Sequence, residues 1–168
     1  MGREVRTVPP NWEHPVNDRG HKQPMFDESF IDAAAKWKAG FAKWEAGERP
    51  DYCDEDSRAL EFWEYHGMPP VREEYRPWKD EDATWFQLWE TVSEGTPVSP
   101  PFATLEELAA HLAEHGDDWD RKRGNGGWGK ASADAFVASG WAPSLMVKGG
   151  VMAEAKDIPL LMGTDTDV

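Results

Sequence analysis

The strongest apolar periodicity in the chain lies between residues 27 and 47. Phe30, Ala34, Trp37, Phe41 and Trp44 recur at three- and four-residue intervals, which puts them on one face of a helix. Asp27 or Ser29 stands where a cap belongs, and Gly47 where a helix stops. A second, shorter helix is predicted from Asp54, Asp56 or Ser57 through Leu60, Trp63 and His66, ended by Gly67 and Pro69–Pro70. A third is predicted from Asp80 to Glu94 on the spacing of Trp85, Leu88, Trp89 and Val92. In that helix Asp80, Glu81 and Asp82 occupy the first turn, where the helix dipole favours carboxylates. Thr104 and Glu107 form a capping box ahead of Leu105, Leu108, Ala109 and Leu112, with Gly116 as the stop. A last helix covers Ala131–Ser139. Ser144–Lys148 and Val151–Ala155 flank Gly149–Gly150 as a hairpin does.

The segments between these elements complete the organisation. Residues 1–25 carry four prolines and little periodicity and read as an extended N-terminal arm, pinned by Trp12 and His14. Residues 117–129 read as a mobile glycine-rich loop, and residues 161–168 as a flexible tail. The expected fold is therefore mainly α, about five helices with a small C-terminal β-hairpin, in a single compact α or α+β domain spanning residues 26–160. Interleaved βαβ units are absent, which argues against a nucleotide-binding α/β fold.

Composition changes the picture in two respects. The formal net charge is −14, and 15 acidic against 5 basic residues fall between Glu45 and Glu94. Such a field repels nucleic acid and anionic membranes and attracts basic partners. Ten tryptophans are present, each with a large ring and one N–H that needs an acceptor when buried. Trp37, Trp44, Trp85 and Trp89 fall on the predicted core stripes. Trp12, Trp78, Trp119, Trp128 and Trp141 fall in loops or the arm, where exposure would mark a binding surface; Trp63 has no assignment. The single cysteine, Cys53, excludes an internal disulfide and fits a reducing compartment. No stretch approaches a membrane span and the N-terminus lacks an apolar signal region, so the expected location is cytoplasmic.

Three motifs invite chemistry. Gly124-Asn-Gly-Gly-Trp-Gly129-Lys130 matches the opening of a phosphate-binding loop, but Ala131 stands where Ser or Thr should follow, and no strand precedes it. His111-Leu-Ala-Glu114-His115 matches an inverted zinc-protease pattern, with His111 and His115 as metal candidates, but no third ligand stands out. Cys53 sits among carboxylates, which disfavour a thiolate. Catalytic residues, a cofactor and a resident metal are accordingly not expected.

Pro10-Asn-Trp-Glu-His-Pro15, Trp85-Phe-Gln-Leu-Trp-Glu-Thr-Val-Ser-Glu-Gly-Thr-Pro-Val-Ser-Pro100 and Gly140-Trp-Ala-Pro-Ser144 resemble small uncharacterised proteins of bacteriophages and prophages. The resemblance implies a phage origin and brings no activity or site residues with it.

The leading expectation is a non-enzymatic phage accessory protein that binds a basic host protein or nucleoprotein complex. Its carboxylates would mimic nucleic acid and inhibit a host defence factor such as a nuclease or CRISPR-type complex. Glu55, Asp56, Glu73, Glu74, Trp78 and Trp119 are the candidate contact residues. The alternative is a nucleotide-sequestering protein in which Trp12 or Trp128 stacks a base and Arg121, Arg123 and Lys130 hold phosphate. A virion or packaging component is a third reading. The oligomeric state is left open.

Overall fold

The computed structural model describes residues 2–91, 94–148 and 150–162. In chain order these form β1 (Gly2–Val8), β2 (Phe26–Ser29), α1 (Phe30–Glu45), α2 (Phe62–His66), β3 (Tyr75–Arg76), β4 (Trp85–Thr91), β5 (Thr96–Pro97), α3 (Leu105–His115), α4 (Asp118–Arg123), α5 (Lys130–Ser139), β6 (Trp141–Ala142), β7 (Leu145–Lys148), β8 (Val151–Glu154) and α6 (Ile158–Met162). The chain divides into two units, one of residues 1–24 with 78–168 and the other of residues 25–77.

The larger unit is built on a four-stranded antiparallel sheet in the order β5-β4-β1-β6. The expectation of a mainly α domain is thus wrong: with this sheet and two small two-stranded ones, the fold is α+β. The decisive error is at Trp85–Thr91, expected inside a helix and found as the central strand β4. Gln87, Leu88, Trp89 and Glu90 are all buried, so both faces of the strand are covered. A doubly buried strand loses its alternating signature, and the three- and four-residue spacings here are incidental. Val92, the last position of that stripe, lies outside the described residues. Asp80–Asp82 form a 3-10 turn ahead of the strand, so the helix-dipole account of that acidic cluster falls too.

The arm expected over residues 1–25 contributes the other central strand. β1 pairs with β4 along its full length, from Gly2 opposite Thr91 to Val8 opposite Trp85. Pro9, which lacks an N–H, ends it. Beyond it, Trp12 packs edge-on against Trp78 at 4.4 Å and His14 against Trp89 at 5.0 Å. The Trp12 indole donates to His14 Nδ1 at 3.4 Å, and His14 Nε2 lies 2.6 Å from the Gln23 carbonyl, to which it donates. Both nitrogens are used by the neutral ring. Burial pushes the His14 pKa below its ordinary value; the Gln23 carbonyl opposes this, and Lys22 and Arg6 add to it. The unfolded chain therefore binds the proton more readily than the folded one. Stability from this residue is complete above about pH 6.5 and declines as pH falls through that value. Thermal midpoints taken from about pH 7.5 to about pH 5 should fall, and His14→Asn should flatten the decline. An unchanged slope in that variant would show that the imidazole is not held neutral.

One face of the sheet carries the main core, in which Leu88 of β4 meets Leu108 and Leu112 of α3 and Ala133 and Phe136 of α5. The capping box expected at Thr104 is present in both directions: Glu107 N donates to Thr104 Oγ1 at 3.1 Å, and Thr104 N donates to Glu107 Oε2 at 3.3 Å. Gly116, at φ +67°, ends α3 as expected. β7 and β8 pair as an antiparallel hairpin; Gly149 of its expected turn lies outside the described residues, as do residues 163–168 of the expected tail. Leu161 and Met162, also placed in that tail, belong to α6.

The smaller unit holds α1, capped by Ser29 as one of the two expected residues, whose hydroxyl accepts from Asp32 N at 3.1 Å. The second expected helix is broken in two. A 3-10 turn covers Ser57–Ala59, and α2 begins only at Phe62 behind a reciprocal Glu61/Glu64 cap. β2 and β3 pair in parallel. No helix among the described residues is long and apolar enough to cross a membrane.

Candidate binding surface

In the smaller unit, residues 45–64 form an ordered acidic segment wrapped over an aromatic centre. Trp44, Cys53 and Phe62 are its buried core, flanked by Trp37 and Tyr65. Phe62 reaches α1 because position 40 is glycine; a Cβ there would lie 2.8 Å from the ring. The Trp44 indole donates to the Leu60 carbonyl at 3.1 Å, Arg58 Nε donates to the Cys53 carbonyl at 3.2 Å, and Cys53 N donates to the Pro50 carbonyl at 2.9 Å. These bonds fix a segment that has almost no regular structure.

Its cations are engaged by the segment itself. Of the two arginines, Arg49 lies 3.7 Å over the Trp44 ring and donates to the Trp44 carbonyl at 2.6 Å, and Arg58 is held on Cys53. The eight carboxylates from Glu45 to Glu64 are all exposed, and no ion pair among the described residues reaches any of them. Asp54 is held ionised, its pKa lowered by the Ser57 hydroxyl and amide, the amide at 2.7 Å. Among these charges stand large apolar side chains open to solvent: Tyr52 at 84 %, Trp63 at 49 % and, just beyond, Met68 at 72 % exposure.

Of the six contact residues expected from sequence, Glu55 and Asp56 lie in this segment and Glu73 and Glu74 beyond it in the same unit, all four exposed. The other two are not exposed. Trp78 is buried in the larger unit against Trp12. Trp119 is half-buried, donating to Glu90 Oε2 at 2.8 Å beneath Lys122. Of the ten tryptophans, only Trp63 and Trp141 are exposed. Trp63, which its spacing left unassigned, is the one the expectation missed. Its signal was the flanking Glu61 and Glu64, which leave one side of so short a helix to solvent.

The glycine-rich loop is put to a different use from the one its motif suggests. The amides of Trp128 and Gly129 donate to the Leu112 and Ala113 carbonyls at 3.0 and 3.1 Å, closing the C-terminus of α3. They are not available to a phosphate. Trp128 is buried with its indole on Asp120 Oδ2 at 2.6 Å, so it cannot stack a base, and Trp12 is committed to Trp78 and His14. Arg121 pairs with Asp118, and Lys130 with Asp134 at 2.6 Å. Arg123 is exposed at the rim of a cavity of about 250 Å³ with Arg3, Asp117 and Trp119 in its wall. The loop approaches α3 so closely that a Cβ on Gly127 would lie 2.2 Å from the Ala113 carbonyl. Gly127→Ala should release the loop, cost about 2 kcal/mol and open residues 124–129 to proteolysis; an unaltered digestion pattern would contradict this docking.

His111 and His115 bring their rings to 5.1 Å, but among the described residues no third metal-ligating side chain joins them. Burial, then His115 and Arg121, push the His111 pKa below its ordinary value. No protein-family model, curated protein or solved structure matches the chain.

Proposed function

We propose that the protein acts by binding, and that the acidic segment from Glu45 to Glu64 docks on a basic protein surface that otherwise holds nucleic acid. The observation that carries this reading is the conjunction in one ordered segment of eight exposed carboxylates with the exposed Tyr52 and Trp63. Magnitudes explain why both are needed. An exposed ion pair contributes about 0–1 kcal/mol, so the carboxylates steer and select more than they hold. Buried aromatic anchors supply affinity, and Trp and Tyr lead among interface hot spots. The backbone is already fixed by Trp44, Cys53 and Arg58, so little ordering cost falls on binding. The phage-like sequence blocks favour a host defence nuclease or CRISPR-type complex as the partner.

The test is affinity selection from bacterial lysate with the wild-type chain and with Trp63→Ala as baits. A nucleic-acid-binding protein retained by the first, lost by the second and released by duplex DNA supports the reading. Identical proteins retained by both baits, or retention indifferent to added DNA, would contradict it.

A further inference from the structure

The C-terminal hairpin of the larger unit presents a second surface, apolar and electrically neutral where the first is acidic. Inward, Met146 and Ala153 pack on the main core. The strands alternate, so Leu145, Val147 and Met152 point outward, and they are 50 %, 64 % and 69 % exposed. Val147 and Met152 are direct cross-strand partners, and Leu145 faces Glu154. Isolated apolar side chains on a surface mean little, but these three share one face of a two-stranded ribbon whose other face is already packed on the core.

Charge says what the cover is. From Phe136 to Met162 the chain has two lysines and two acidic residues, a net of zero within a chain of −14. A twofold contact sets a surface against itself and therefore requires self-complementarity. An acidic face fails that requirement by repulsion, whereas a neutral apolar one meets it. The rim of this face carries one charge of each sign, Glu154 and Lys156, 3.6 Å apart, and a twofold can exchange such a pair between copies.

We infer that the outer face of the β7–β8 hairpin is a homodimer interface, Leu145, Val147 and Met152 of one copy packing on the same side chains of a second. The face is small beside the roughly 800 Å² per partner of a standard interface, so the dimer is weak and concentration-dependent. Its salt response has a distinctive sign. Salt screens the mutual repulsion of two acidic chains and tightens this dimer, whereas it loosens a complex with a basic partner.

Sedimentation analysis of the full chain tests the inference, run from about 10 μM to about 1 mM at about 0.05 M and about 0.5 M salt. The average mass of the wild type should climb from 19.0 kDa toward twice that value, further at high salt, while Val147→Glu and Met152→Glu stay monomeric with unchanged thermal midpoints. Both side chains are exposed, so neither substitution threatens folding. A wild type monomeric under all conditions, or variants that associate as it does, would overturn the assignment.

Discussion

Asp117→Ala is expected to destabilise the protein by about 3 kcal/mol, lowering the thermal midpoint by roughly 9 °C for a chain of this length. Asp117 is a buried carboxylate serving two structures at once. One oxygen accepts from the amides of Trp119 and Asp120 at 2.8 and 2.9 Å, capping α4. The other accepts from Arg3 Nε at 2.7 Å, tying that helix to β1. Losing the cap costs about 1 kcal/mol. The larger share comes from Arg3, whose side chain is 12 % exposed and would keep its charge without this carboxylate beside it. Asp117→Asn retains the capping oxygen but not the charge beside Arg3, and should cost about 2 kcal/mol. Urea denaturation of the three chains measures both effects. A loss below about 1 kcal/mol in the alanine variant would mean that water already screens the pair.

Reversing three charges at Asp51, Glu55 and Asp56 to lysine is expected to weaken partner binding about a hundredfold, or about 2.7 kcal/mol. Each reversal replaces a modest attraction by a comparable repulsion, and the sum decides the outcome because no single pair is strong. None of the three side chains is buried. The turn acceptor Asp54 is left in place, so the fold should survive and circular dichroism should be unchanged. Trp63→Ala should cost about 2 kcal/mol on its own, with little dependence on salt, since it removes contact area and no charge. Titration of the partner retained in affinity selection reads all of these. Equal affinities for the wild type and the triple variant would remove charge from the account.

The local elements were legible where capping chemistry signs them. Ser29 with α1 and the Thr104–Glu107 box with α3 follow from residue type and spacing, because the bonds concerned span three residues. The sheet was not legible, because its evidence is long-range. β1 reads GREVRTV, a charged segment that looks like an arm until Asp117 is found beside Arg3 and the Trp89 ring beneath Arg6. β4 hides its period because both of its faces are covered. The same contrast holds for the candidate surface. Its acidity was visible at once. Which tryptophans are exposed was not, since that depends on acceptors distant in sequence: Leu60 for Trp44, Glu90 for Trp119 and, less remotely, Asp120 for Trp128. Trp119 and Trp128 found such partners and went inside, and the short helix α2 left Trp63 in solvent.

The central claim is that the acidic face of the smaller unit takes the place of nucleic acid on a basic partner. Displacement of a fluorescently labelled DNA duplex from the retained partner, followed by anisotropy, tests it most directly. The wild-type chain should release the duplex completely and competitively, and the Asp51, Glu55 and Asp56 reversal should need about a hundredfold more protein to do so. A complex holding duplex and protein together, or equal displacement by the reversed variant, would contradict it.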